Sequence, residues 1–197
     1  MYPEIDRILI DENRIASRVR AMGTQIASDL IADCGYTGSD QIVLVPILTG
    51  SIVFVADLIR HLPLKLRLGV VAVSSYPGRS MQSKGAAIRS EIPSDLAGKH
   101  VLVVDDILDS GRTLGLIRRL ILEQKPASLR IAVLLRKKLA GGVARAEEVP
   151  VDYAGFDIPD EFVVGYGLDY DGYFRNYPQI AVVREPDPDR SGGEGAA

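Results

Sequence analysis

One stretch of this 197-residue sequence concentrates the residue types that handle phosphate and hydroxyl groups. An apolar run, Val101-Leu102-Val103-Val104, leads into Asp105 and Asp106, then Ile107-Leu108, then Asp109-Ser110-Gly111-Arg112-Thr113. Backbone N–H groups around Gly111 and the start of the following helix can cradle an anion, and the Ser110 and Thr113 hydroxyls add donors suited to a phosphate monoester. Asp105 and Asp106 can accept hydrogen bonds from a vicinal diol or hold waters on Mg²⁺, a hard ion that favours oxygen. A lone Asp-Asp pair at a strand end would be read as loop solvation. Three acids, two hydroxyls and a glycine between an apolar run and a helix exceed what a connection needs. Together they describe a pocket for a sugar phosphate.

The elements that position these residues are legible in the hydrophobic pattern. Ile15, Val19, Met22, Ile26 and Leu30 fall on one helical face, which predicts an amphipathic helix from Asp11 to about Asp33, closed near Gly35. Ile42 to Ile47 is a continuous apolar run of the buried-strand kind, and Ile52 to Leu62 has helical length and spacing. Leu66 to Ser75, His100 to Val104, Leu129 to Leu135, Phe162 to Tyr166 and Ile180 to Val183 read as strands, and Leu114, Ile117, Leu120 and Ile121 as a helix face ended by Lys125-Pro126. Buried strands alternating with helices argue for βαβ units: an α/β, three-layer fold with a mainly parallel central sheet and helices on both faces. Ligands then belong at the carboxyl ends of the strands. Tyr76 to Ser90 and Lys137 to Pro150 break the alternation and read as exposed, mobile loops. One domain over 1–184 is expected, with 185–197, rich in Pro and Gly, as a disordered tail.

Composition excludes several classes. Lys and Arg number 23 against 26 Asp and Glu, a net charge of −3, whereas sequence-independent nucleic-acid binding needs a concentrated basic surface. One cysteine, Cys34, and two histidines cannot form an internal disulfide framework or a Cys/His zinc site, so a reducing, cytoplasmic compartment is expected. The first residues lack the basic head and apolar run of a signal peptide. The most apolar window, Ile42 to Ile59, is interrupted by Pro46, Thr49, Gly50, Ser51 and Asp57 and reads as strand, turn and helix, so no membrane partner is expected. Gly165-x-Gly167 is not a dinucleotide fingerprint, since Tyr170 stands where the third glycine should be.

The string from Val101 to Thr113 resembles the signature of the type I phosphoribosyltransferases: an apolar strand, two acids, two apolar residues and an acid-Ser/Thr-Gly-basic-Thr turn. Gly155-Phe156-Asp157-Ile158-Pro159-Asp160-Glu161-Phe162-Val163-Val164-Gly165-Tyr166-Gly167-Leu168-Asp169-Tyr170, with Tyr173-Phe174-Arg175-Asn176, is similar to the hypoxanthine-guanine phosphoribosyltransferases, and the likeness runs from about Ile5 to Val183. The resemblance implies a type I phosphoribosyltransferase fold with a small hood formed by the terminal segments. It also implies phosphoribosyl pyrophosphate and a 6-oxopurine base as substrates, Mg²⁺ as cofactor, and a homodimer or homotetramer. By the same resemblance Asp105 and Asp106 bind the ribose hydroxyls, and Asp109, Ser110, Gly111, Arg112 and Thr113 wrap the 5-phosphate, with Asp109 as general base. Leu48-Thr49-Gly50-Ser51 matches the pyrophosphate loop, Thr49 standing where the family commonly has lysine. Arg175 binds pyrophosphate, and Ser75-Tyr76 opens the loop that closes over the site. On the purine side stand Lys137, donating to the 6-oxo group, Phe162, stacking on the base, Val163, meeting its edge, and Asp169. Asp169 also joins Asp105 and Asp106 as a metal-binding acid. Two rivals are a nucleotide-sensing regulator on the same scaffold and a phosphoacceptor receiver domain, whose acid pair should lie near the amino terminus.

Overall fold

The computed structural model describes residues 2, 4–34, 41–75, 86–88, 92–138 and 145–184, with backbone alone at 74, 75 and 86–88. The expected tail over 185–197 lies outside these residues. The chain runs β1 (Ile5–Ile10), α1 (Glu12–Cys34), β2 (Ile42–Leu48), α2 (Ile52–Leu58) with a 3-10 turn (Ile59–His61), β3 (Leu66–Leu68) and β4 (Val71–Ser75). It continues through β5 (Ala86–Ile88), β6 (His100–Leu108), α3 (Arg112–Glu123), β7 (Ser128–Lys138), β8 (Tyr153–Pro159), β9 (Val163–Val164) and β10 (Ile180–Val183).

The central sheet has the order β5-β4-β2-β6-β7-β8, with β3 pairing β2 on the same side as β4. All of its pairings are parallel except β4 with β5. Alternation along the three middle strands, broken at Leu134-Leu135, divides the core. Leu44, Leu102, Val104, Ala132 and Leu134 pack with Met22, Ile26 and Leu30 of α1 and with Phe54 and Leu58 of α2. Val43, Val45, Val101, Val103, Ile131 and Val133 pack with Leu114, Ile117 and Ile121 of α3. Burial on both faces is what the continuous apolar runs encode. The fold is therefore the three-layer α/β arrangement expected, and β1, β10 and β9 form a separate antiparallel sheet, the hood, from the two terminal segments. Among the described residues no helix is long and apolar enough to cross a membrane.

Several boundaries differ from the sequence reading. β6 and β7 run on to Leu108 and Lys138, because polar residues at their ends still pair with each other and, for β7, with β8. β1 is interrupted by Asp6-Arg7 and β8 by Gly155 and Asp157, so neither reads as a continuous apolar strand, yet α1 fastens β8 through Arg18, whose guanidinium donates to the Gly155 and Ala154 carbonyls. The predicted mobile loop over Lys137–Pro150 is partly ordered packing: Lys137 and Lys138 belong to β7, Val149 is buried, and Glu147 lies against α3. Of Tyr76–Ser90, residues 86–88 form β5, and the rest lies outside the described residues.

Candidate active site

Because β2, β6 and β7 are parallel, their carboxyl ends meet on one side of the sheet, where they floor a cavity of about 760 Å³. β6 supplies the acids. Asp105 is 7% exposed and accepts a 3.0 Å hydrogen bond from the Asp106 N–H, while Asp106 accepts one of 2.8 Å from the Ile107 N–H. Burial pushes the Asp105 carboxyl well above the ordinary range, and the charge of Asp106 pushes it further. Burial also raises Asp106, offset in part by a hydrogen bond from Asp105 and by backbone N–H groups. Both carboxyls are thus raised, Asp105 the more strongly, in the pattern of paired buried carboxyls that cannot both ionise cheaply.

The turn after β6 is built for an anion. Gly111 caps α3 with φ +81°, a left-handed conformation that glycine adopts without strain, and it offers no side chain to the first-turn N–H groups. Asp109, Ser110, Gly111 and Thr113 all line the cavity. Leu48, Thr49 and Gly50, at the end of β2, line it opposite. The Leu48–Thr49 peptide is cis. Gly50 is pressed against the acid pair, since a Cβ there would lie 1.7 Å from Asp106 Oδ2.

The hood carries the other wall. Gly167, at φ +103°, presses on the Gly50 carbonyl, and Arg175 donates to the Gly167 carbonyl at 2.7 Å. The same guanidinium pairs with Asp169 at 2.7 Å, and the Gly172 N–H donates to Asp169 at 2.8 Å. Asp169, Arg175, Phe162 and Val163 all line the cavity. Phe162 is 46% exposed rather than a core residue, and the ring of Tyr170 meets it edge-on at 5.5 Å and 81°. Lys137, at the end of β7, is not a solvated surface lysine. Its side chain is 12% exposed and its ammonium lies 3.5 Å from Asp109 and 3.2 Å from Asp160.

Not every predicted site residue reaches the cavity. Ser51 is fully buried and its hydroxyl donates to the Ile47 carbonyl, so it shapes the loop from behind rather than facing a ligand. Arg112, exposed at the start of α3, is not among the lining residues. Ser75 ends β4 and only its backbone is described; Tyr76 lies outside the described residues. Conversely, the sequence reading gave no role to Asp160, Tyr170, Arg145 or Glu147. Asp160 and Tyr170 sit inside the quoted carboxyl-terminal string, so their nearness was available there. Arg145 and Glu147 carry no such signal.

Among the described residues no group of three or more His, Cys, Asp or Glu side chains gathers tightly enough to hold an ion alone. The donors on offer are carboxylate oxygens in two sets, Asp105 with Asp106 on the floor and Asp169 on the hood. Mg²⁺ commonly takes one or two carboxylates and completes its octahedron with substrate phosphate and water, so these residues fit an ion shared with a phosphorylated substrate.

The arrangement has close counterparts. Residues 16–171 match the family described as phosphoribosyl transferase domain. A hypoxanthine-guanine phosphoribosyltransferase of Streptococcus pneumoniae is 39% identical over 182 residues, 92% of this chain and 95% of the relative. One from Mycobacterium avium is 38% identical over 184 residues, 93% of this chain and 88% of the relative. Among solved structures, a hypoxanthine-guanine phosphoribosyltransferase of Bacillus anthracis superposes with a TM-score of 0.77 at 36% identity, covering 92% of this chain and all of that one. A Trypanosoma cruzi hypoxanthine phosphoribosyltransferase complexed with the product IMP gives 0.83 at 32% identity, covering 98% and 99%. Every relative named here is an enzyme; the nucleotide-sensing alternative finds no support among them. The acid-glycine turn at the end of β6, the parallel sheet beneath it and the hood above thus have one common explanation: the chain belongs to the phosphoribosyltransferase family, among the hypoxanthine-guanine phosphoribosyltransferases.

Proposed function

We propose that this protein transfers the ribose-5-phosphate group of phosphoribosyl pyrophosphate to N9 of hypoxanthine or guanine, giving IMP or GMP and pyrophosphate, a purine salvage reaction. The observation that carries the reading is one cavity in which the Lys137 ammonium, set between Asp109 and Asp160, stands beside the glycine-opened turn of α3. The turn from Asp109 to Thr113 receives the 5-phosphate, with the α3 macrodipole and first-turn N–H groups as donors. Asp105 and Asp106 accept from the ribose hydroxyls. Thr49 and Gly50 meet the pyrophosphate across from Arg175.

Phe162 offers its exposed face to the planar base, a contact contributing about 1–3 kcal/mol. The Lys137 ammonium has donors only, so it favours a purine 6-oxo oxygen and meets the 6-amino group of adenine donor to donor. In the reaction the C1′–O bond to pyrophosphate breaks and the C1′–N9 bond forms. The proton on purine N7 passes to the Asp109 carboxylate, and the leaving electron pair departs on pyrophosphate. Mg²⁺, held by Asp105, Asp106 and Asp169 together with substrate oxygens, would neutralise charge on that leaving group. A cytoplasmic homo-oligomer belongs to the same reading, supported by family kinship and the single Cys34 thiol; light scattering of the purified protein tests the assembly.

Incubation of the protein with phosphoribosyl pyrophosphate, Mg²⁺ and hypoxanthine or guanine tests the proposal, with chromatographic detection of nucleotide and pyrophosphate. Both products are expected; no nucleotide with any 6-oxopurine defeats it. General base help is worth about 10²–10⁴-fold, so Asp109→Asn should lower kcat within that range. Turnover intact in Asp109→Asn but abolished in Asp105→Asn would show the roles to be misassigned.

A further inference from the structure

The β6–β7 ladder pairs Ile107 with Leu135 and Leu108 with Arg136, and stops there. One residue further along each strand stand Asp109 and Lys137, the next pair in register, whose carbonyls are left without a ladder donor across the gap. The strands part at this point, because Asp109 turns into the phosphate loop while β7 continues against β8 through Lys138. Beside the Lys137–Asp109 ion pair, the Arg145 side chain spans the opening at the backbone. Arg145 Nε donates to the Asp109 carbonyl at 3.1 Å, and its Nη2 donates to the Lys137 carbonyl.

The segment carrying Arg145 is fastened to the same turn. The Glu147 N–H donates to the Ser110 carbonyl at 3.1 Å, the Glu147 carboxylate pairs with Arg119 of α3, and a Cβ on Gly111 would lie 2.0 Å from the Glu147 carbonyl oxygen. Residues 145–147 therefore form a strap across the back of the phosphate turn, and Gly111 is required there for close approach as well as for its φ.

We propose that Arg145 is a positioning residue that replaces the missing rung, and that its guanidinium sets the spacing between the phosphate turn and the lysine at the purine. This deepens the transferase reading and rests on it for the identity of the ligands. The planar fork can satisfy two carbonyls at once, which a lysine ammonium on a flexible stem does not reproduce. Its two acceptors are the backbone anchors of the two residues whose side chains also meet, Lys137 Nζ and Asp109 Oδ2 at 3.5 Å. Arg145 touches neither base nor phosphate in this assignment. It acts by holding Asp109 and Lys137 in register, where a displacement of about 1 Å can lower turnover by about 100-fold.

The test compares wild type, Arg145→Ala, Arg145→Lys and, as a control, Arg119→Ala, which releases only the far side of the strap. Backbone hydrogen exchange, which needs no turnover, should accelerate about 10-fold or more in residues 105–113 and 133–138 of both Arg145 variants and not in the control. Steady-state kinetics should show kcat/KM for hypoxanthine reduced by about 10- to 100-fold in both variants. Millimolar methylguanidinium should restore part of this loss in Arg145→Ala, and the loss should shrink when Lys137 is already methionine. Unchanged exchange in both segments overturns the proposal, as do kinetics within twofold of wild type or a loss fully additive with Lys137→Met. If wild type forms no nucleotide, the transferase reading fails, and the exchange comparison still decides whether Arg145 joins the strand ends.

Discussion

Asp105→Asn should make the protein more stable and a poorer enzyme. The Asp105 carboxyl is buried, and its pKa is raised first by that burial and then by the charge of Asp106. A folded pKa above the unfolded value of about 3.9 means that the ionised form is disfavoured by folding. Below that pH the group is protonated in both states and carries no penalty. As the pH rises above it, the unfolded chain ionises freely, and stability falls until the folded pKa is passed. Asparagine keeps the shape, can accept the Asp106 N–H bond, and cannot ionise. Relief of an inadequately compensated buried carboxyl is worth roughly 1–3 kcal/mol. With an unfolding entropy of about 2.1 cal/mol/K per residue over 197 residues, that corresponds to a rise in Tm of about 2–7 °C at pH 7.5. Differential scanning calorimetry at pH 7.5, 6 and 4.5 should show the gain shrinking toward the acid end. In the same preparation kcat/KM for phosphoribosyl pyrophosphate should fall about 10- to 100-fold, because an amide cannot become the charged acceptor that a bound ribose hydroxyl or Mg²⁺ would draw from the carboxyl. A variant less stable than wild type at pH 7.5, or a gain that does not decline with acidity, would refute the reasoning.

Three other substitutions probe separate parts of the site. Gly111→Ala puts an L residue at φ +81°, worth about 1–2 kcal/mol, and a Cβ 2.0 Å from the Glu147 carbonyl oxygen. Its Tm should drop by about 5 °C or more and KM for phosphoribosyl pyrophosphate should rise; an unaltered melting curve would contradict the close approach. Phe162→Ala removes the exposed ring held edge-on by Tyr170, so KM for hypoxanthine should rise about 5- to 150-fold, the equivalent of about 1–3 kcal/mol of stacking. A larger effect on phosphoribosyl pyrophosphate than on purine would place the ring elsewhere. Lys137→Met removes a charged donor worth about 1.5–3 kcal/mol and should lower kcat/KM for hypoxanthine about 10- to 150-fold. Equal losses for hypoxanthine and adenine would show that the ammonium does not read the 6-position.

The division between what the sequence disclosed and what it did not follows the range of the interactions. β2, β6 and β7 were legible because a strand buried on both faces must be apolar throughout, and α1 because Ile15, Val19, Met22, Ile26 and Leu30 mark one helical stripe. The phosphate side of the cavity was legible too, since Asp105 to Thr113 form a contiguous string whose parts each suit phosphate or diol, whereas Lys137, Phe162, Asp169 and Arg175 stood out only through the family resemblance. β1 and β8 were not, because an edge strand or a hood strand need bury little: β8 depends on Arg18 reaching from 137 residues away in sequence to its Gly155 carbonyl. The Ser51 hydroxyl has two possible uses, and only the fold shows that it donates to the Ile47 carbonyl. Arg145 was invisible for a similar reason. Its partners are backbone carbonyls in the turn after β6 and on β7, and backbone acceptors leave no mark in side-chain chemistry.

The central claim is that one cavity joins a phosphate turn to a lysine that selects 6-oxopurines, and a direct competition tests both halves together. The protein is given phosphoribosyl pyrophosphate, Mg²⁺ and equimolar hypoxanthine and adenine, and the ratio of IMP to AMP is measured at early times. Because a site organised around a hydrogen bond rejects an analogue that cannot make it by about 10⁴-fold or more, IMP should form with AMP barely detectable. Comparable amounts of the two nucleotides, or neither, would contradict the account.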